Sequence, residues 1–165
     1  MTAHRLPSRN IANALPRNAA RARGFTLVEL LTVLSVLVVI TVIAVPSFNE
    51  LSRGQRVQVA AMDLFTSLLR ARSEAIKQNT DVTLSSAGTW AAGWAVASGG
   101  ANIDTHAATS DIAISDPGVV TYRSSGRVAG TTQPKFSVSA TQTATKRCVQ
   151  VNLSGEPAVT SGACT

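Results

Sequence analysis

The sequence predicts an α+β chain in which one long N-terminal helix, membrane-spanning in its first half and amphipathic in its second, packs on an antiparallel β-sheet domain. Three observations predict it. Residues 25–45 form one apolar run, and apolar residues then recur at three- and four-residue steps to about residue 78. Beyond Asp81 the composition turns to Val, Thr, Ser, Ala and Gly in short alternating stretches. With the front of the chain set aside, the remainder of the 165 residues suffices for one globular domain with its own core.

The first element is a basic leader, residues 1–24. Arg5, Arg9, Arg17, Arg21 and Arg23 precede Gly24 with no acid among them, and they account for five of the fifteen Lys and Arg residues. Ten bases then face nine acids in the rest of the chain, so the formal charge of +6 describes the leader and says little about a nucleic-acid partner.

The second element is the apolar helix, residues 25–46. At 1.5 Å per residue, its run of about 21 apolar residues crosses a hydrocarbon core of roughly 30 Å. Arg17, Arg21 and Arg23 stand just ahead of it, so the positive-inside rule leaves the N-terminus in the cytoplasm and everything after Pro46 on the far side of the inner membrane, a periplasmic domain. A plain anchor, a signal peptide cut near Ala44 and a processed segment all fit that run. Glu29 separates them. A carboxylate in an apolar span costs on the order of 2 to 3 kcal/mol at mid-membrane, and neither of the first two readings has a use for it.

Arg23-Gly24-Phe25-Thr26-Leu27-Val28-Glu29 resembles the prepilin peptidase site of type IV pilins and type II secretion pseudopilins. The resemblance implies cleavage between Gly24 and Phe25, N-methylation of Phe25, and an assembly role for Glu29. The family's partners are prepilin peptidase, the inner membrane and other pilins or pseudopilins. A new α-amine on Phe25 is a cation at the membrane boundary, and Glu29 of an adjacent subunit neutralises it, a pairing that sets register more than net stability. Pro46 stands where many pilins carry a helix-kinking proline.

The third element, residues 47–80, is a surface helix. Val57, Ala61, Leu64, Phe65, Leu68, Ala71, Ala75 and Ile76 form its apolar stripe, while Arg56, Asp63, Arg70, Arg72 and Lys77 fall elsewhere. It continues the membrane helix, with Pro46 and Gly54 as places to bend, and ends at Asn79. Residues 81–165 form the β-rich domain. Strands are expected over 82–85, 90–96, 119–122, 136–140 and 148–153, with a long loop at 98–110 and a polar turn at 141–146. The apolar stripe is expected beneath one sheet. Cys148 and Cys164 suit a single disulfide in an oxidising compartment, closing a short loop worth roughly 3 kcal/mol on the chain-entropy model, with two free thiols as the alternative.

Within the superfamily the chain is similar to the FimT/GspH type of minor pilin and pseudopilin. The likeness is carried by Ala71-Arg72-Ser73-Glu74-Ala75-Ile76-Lys77-Gln78-Asn79, by Trp90-Ala91-Ala92-Gly93-Trp94, and by the late strand Arg147-Cys148-Val149-Gln150-Val151. It implies a minor pilin that primes or tips a pilus, or a type II secretion pseudopilin. Trp90 and Trp94 are read as core residues with no binding role.

Catalysis finds no support. His106 is the one histidine after the leader and falls beside Asp104 in an expected loop, and no metal-ligand cluster, phosphate-cradling loop or cofactor motif occurs. DNA binding is the second function weighed, because some FimT-type members are DNA receptors that use a Gly-Arg-x-Arg motif near the C-terminus. Here Ser154-Gly155-Glu156-Pro157-Ala158 stands instead, with an acid and a proline for the basic pair. Arg123, Arg127, Lys135, Lys146 and Arg147 remain as basic density, with Ser125-Gly126-Arg127 expected near residue 147; of these Arg123, Arg127, Lys146 and Arg147 are the candidate DNA contacts.

Overall fold

The computed structural model describes residues 24–165, so the leader lies outside the described residues except for Gly24. One helix, α1 (Leu27–Gln78), is followed by β1 (Val82–Ala87), β2 (Thr89–Ser98), β3 (Ala101–Ala107), β4 (Ile112–Ile114), β5 (Val120–Tyr122), β6 (Lys135–Ala140), β7 (Lys146–Val151) and β8 (Pro157–Ser161). The chain divides into two compact units at Val39 and Ile40.

α1 is apolar and exposed throughout its N-terminal part, and by length and composition the helix suffices to cross a membrane. Thr26 caps it, its Oγ1 accepting a hydrogen bond from the Glu29 backbone N–H at 3.2 Å. The Thr32 and Ser35 hydroxyls donate back to the Glu29 and Thr32 carbonyls at 2.8 and 2.7 Å, so these polar groups are satisfied within the helix.

The second unit is built on the C-terminal part of α1. Val57, Ala61, Leu64, Leu68, Ala71 and Ala75 are buried as the stripe predicts, joined by Ala60 and Ser67. Four alanines on that face let strands approach the helix closely. Two members of the expected stripe depart from it: Phe65 is only partly buried, and Ile76 is 53% exposed because it lies at the flank where the helix leaves the core. α1 ends on a left-handed Asn79 (φ 51°), with the Thr80 N–H donating to Ala75 O and the Asn79 N–H to Ile76 O, the paired bonds of a Schellman cap.

The expected single sheet is two antiparallel sheets, ordered β3-β2-β1-β5 and β4-β6-β7-β8. Both contribute to one core against α1. Trp90, Trp94, Leu84 and Tyr122 come from the first sheet, and Ile112, Phe136, Val138 and Val149 from the second. Trp90 packs edge-on against Phe136 at 4.7 Å between ring centroids, which joins the sheets. The loop expected over 98–110 is instead largely strand: β3 pairs with β2 from Gly93↔Ala107 to Ser98↔Ala101. It is an edge strand of mostly polar side chains, so alternation of apolar residues could not reveal it. β4 and β8, at the two edges of the second sheet, were likewise not expected.

Candidate functional site

The helix start is the first candidate. Gly24, Phe25, Thr26 and Glu29 line one recess. Phe25 is 77% exposed, and among the described residues no cation lies within ion-pair distance of the Glu29 carboxylate. Glu29 stands in the first turn, where the partial positive charge of the helix N-terminus favours an anion. Thr26-x-x-Glu29 also has the spacing of a capping box, a local helix-start signal in the sequence. The arrangement offers an exposed carboxylate beside a ready helix start, able to receive a cation from outside the chain.

Pro46 lies inside α1, which continues through it. Gly54 has a packing reason for its size: a Cβ there would stand 2.9 Å from Thr145 Oγ1, so the 141–145 segment closes directly onto the helix. Arg53 Nη1 donates to Thr141 O at 3.2 Å and ties the same segment down. Cys148 and Cys164 form a disulfide with 4.9 Å between Cα atoms, which holds the tail beyond β8 against the second sheet, where the Cys164 N–H donates to Ser137 Oγ at 2.9 Å.

The basic residues expected to share one region fall into two groups. Arg123 and Arg127 flank a tight turn closed by Gly126 N–H to Arg123 O, and line a shallow recess with Ser125, Gly130 and Leu153. Arg147 lies near the opposite end of β7: its Nη2 donates to Gln58 Oε1 at 3.4 Å and its Nη1 to Ser161 Oγ at 2.6 Å. The Ser125-Gly126-Arg127 turn instead meets α1 at Arg72, whose guanidinium donates to Gly126 O and Ser154 O at 3.2 and 3.4 Å. Gln58 and Arg72 are separated by about 21 Å of helical rise. The expectation of a common patch is thus corrected: β7 spans the second sheet and carries Arg147 away from the turn. Lys146 is exposed beside Arg147, and Lys135 donates to the carbonyl oxygen of Thr165.

His106, expected in a loop, is in β3. Its ring stacks on Trp94 with centroids 4.0 Å apart and planes 5° from parallel. Nε2 lies 3.1 Å from Asp63 Oδ2 on α1, and Nδ1 is 2.8 Å from Ala107 O. Both nitrogens have partners, and through Asp63 the ring ties the edge strand to the helix. Arg70–Asp104 at 3.2 Å is a second such tie. Beneath them, Trp94 Nε1 donates to the buried Ser67 hydroxyl at 2.9 Å. Asp116 accepts from Trp90 Nε1 and the Gly118 N–H, both at 2.8 Å, and these bonds, the backbone one foremost, hold its carboxyl below the usual range.

Residues 60–155 match the family described as type II transport protein GspH, and residues 19–45 match the prokaryotic N-terminal methylation motif. No curated protein matches the chain. Two crystal structures of the type IV minor pilin FimU of Pseudomonas aeruginosa are similar in fold at 19% identity. One has a TM-score of 0.57, with 66% of this chain and 99% of that chain covered; the other has 0.59, with 67% and 96%. The shared fold is a long helix on antiparallel sheets.

Proposed function

The chain belongs to the GspH family of type II transport proteins, a structural pilin and pseudopilin family, and on that premise we propose that it is a minor type IV pilin-like subunit that primes or tips a periplasm-spanning pilus. Prepilin peptidase removes residues 1–24, the new amine of Phe25 is methylated, and the apolar helix then leaves the inner membrane for the core of the filament. The observation that carries this reading is Glu29: a carboxylate in the first turn of an exposed apolar helix, without a cation of its own among the described residues, four positions after the residue that would become the new N-terminus.

The physics of transfer fits that use. Lipid tails and an apolar filament core solvate the helix about equally, so burial alone gives the move little direction. A charge pair between Glu29 of one subunit and the Phe25 amine of another supplies register at the point where the helix enters the assembly. Pro46 and Gly54 are the positions at which the helix would bend as it does so. Glu29→Val tests the assignment. The variant is expected to remain in the membrane and to be depleted from sheared filaments, and incorporation equal to wild type would remove Glu29 from the mechanism.

The match to GspH favours a second reading within the same class, a pseudopilin of a type II secretion system. Pull-down of the membrane-extracted chain separates the two by whether pilus or secretion components accompany it. A DNA-binding role draws less support, because Arg123 and Arg127 stand apart from Lys146 and Arg147 and no single basic face collects them. DNA titration at two salt concentrations tests it: salt-sensitive binding lost in Arg127→Gln and Arg147→Gln would restore the role.

A further inference from the structure

Where the apolar run ends, the globular unit begins with unbalanced positive charge. Helical rise puts Arg53 about 12 Å beyond Val45, the last residue of the run, and burial of α1 by the β-sheets starts at about the same level. The 141–145 segment is the part of the β-structure that meets the helix there, tied by Arg53 to Thr141 and packed on Gly54 through Thr145. Lys146 and Arg147 follow directly. Arg53, Lys146 and Arg147 thus share one rim, and among the described residues none of the three has a carboxylate within ion-pair distance.

The neighbouring charges do not cancel them. Arg56 and Asp111 form their own exposed pair at 3.1 Å. Among the described residues Glu50 is the acid that lines the recess shared with Arg147, Thr143 and Thr145, and it leaves the rim net positive. Between the run and the rim, Phe48 and Leu51 are 70% and 61% exposed, apolar side chains at the level where a bilayer turns polar. A headgroup layer extends roughly 5 to 8 Å past the hydrocarbon, so Arg53 lies within about one screening length of the phosphates, with Arg147, on Gln58, about one and a half helical turns farther out.

We propose that this rim, formed by Arg53, Lys146 and Arg147, docks on the phosphate groups of anionic phospholipids at the periplasmic surface of the inner membrane and holds the globular unit against the bilayer in the stored subunit. The inference rests on the reading of the apolar helix as a membrane anchor. Charge complementarity selects the occupant: three cations adjoin a surface dense in phosphodiesters, with hydroxyls of Thr143 and Thr145 beside them as further donors. Release of the rim then accompanies extraction into a filament.

The test uses the full chain in lipid nanodiscs made with and without phosphatidylglycerol. An environment-sensitive fluorophore is placed at Ala144→Cys, in the exposed middle of the segment, or at Ser125→Cys, in the turn at the other end of the unit, and a headgroup-bearing nitroxide lipid serves as quencher. Anionic discs are expected to quench the reporter at 144 and spare that at 125. Lys146→Glu, at an exposed side chain with no hydrogen-bond or ion-pair partner among the described residues, should lower the docked population on the order of tenfold. Equal quenching at both reporters, or quenching at 144 that ignores Lys146→Glu, would overturn the docking. Co-elution of chain and disc reports the anchor separately. Failure to co-elute would overturn the anchor reading and this proposal with it, whereas co-elution with an unquenched 144 reporter would overturn the docking alone.

Discussion

Replacing Tyr122 by Phe removes one oxygen from the centre of the core and leaves the ring in place. Tyr122 is fully buried, and among the described residues its hydroxyl is the one buried side-chain polar atom without a hydrogen-bond partner. Burial pushes its ionisation up, and the nearby Arg72 charge opposes this only in part. A buried hydroxyl that has lost water and gained nothing costs about 1 to 3 kcal/mol, against which the lost packing of a single oxygen is small. Tyr122→Phe should therefore stabilise the protein by about 1 kcal/mol, or about 3 to 5 °C in Tm for a unit of this size. Urea unfolding of the full chain in detergent, followed by fluorescence of the core residues Trp90 and Trp94, measures it, with an unchanged slope as the check on two-state behaviour. A loss of 1 kcal/mol or more would refute the reasoning, because it would mean that the hydroxyl has a partner such as a buried water.

Ser67→Ala should cost about 1 to 3 kcal/mol in the same assay, since it leaves the Trp94 indole N–H buried and unsatisfied; Ser67→Thr, which keeps an acceptor, should cost less. Gly155→Ala should destabilise by on the order of 3 kcal/mol, because Gly155 has φ +87° and a Cβ there would run into the carbonyl oxygen of Gly126. Asp116 ionises below its ordinary value of 3.8 in the folded chain, so its contribution is complete above that pH and is lost as pH falls through the lowered folded value. Asp116→Asn should accordingly flatten the acid limb of a stability profile below about pH 4 and leave its neutral region nearly level.

The long helix and most of the core were legible because the signals are local and periodic. The stripe from Val57 to Ala75 repeats at helical spacing, and β1, β2, β5, β6 and β7 each carry an apolar residue at alternate positions. β3 escaped because Asn102, Asp104 and His106 look like loop residues, yet an edge strand can be polar when its side chains reach a helix, as Asp104 reaches Arg70 and His106 reaches Asp63. β8 begins with Pro157, which suits an edge strand and reads in sequence as a break. The helix-start residues lie within one turn and were readable directly. The separation of Arg127 from Arg147 was not, because it depends on the direction of β7 across the second sheet, a property of strand order that no local pattern encodes.

The intact mass of the chain co-expressed with a prepilin peptidase shows whether it is a processed pilin-like subunit. The expected product is a mature protein that begins at Phe25 and is heavier by the CH2 that N-methylation adds, with Gly24→Ala leaving the leader in place. A mature chain that begins at Ala44 or later, or one that keeps residues 1–24 in the presence of an active peptidase, would contradict it.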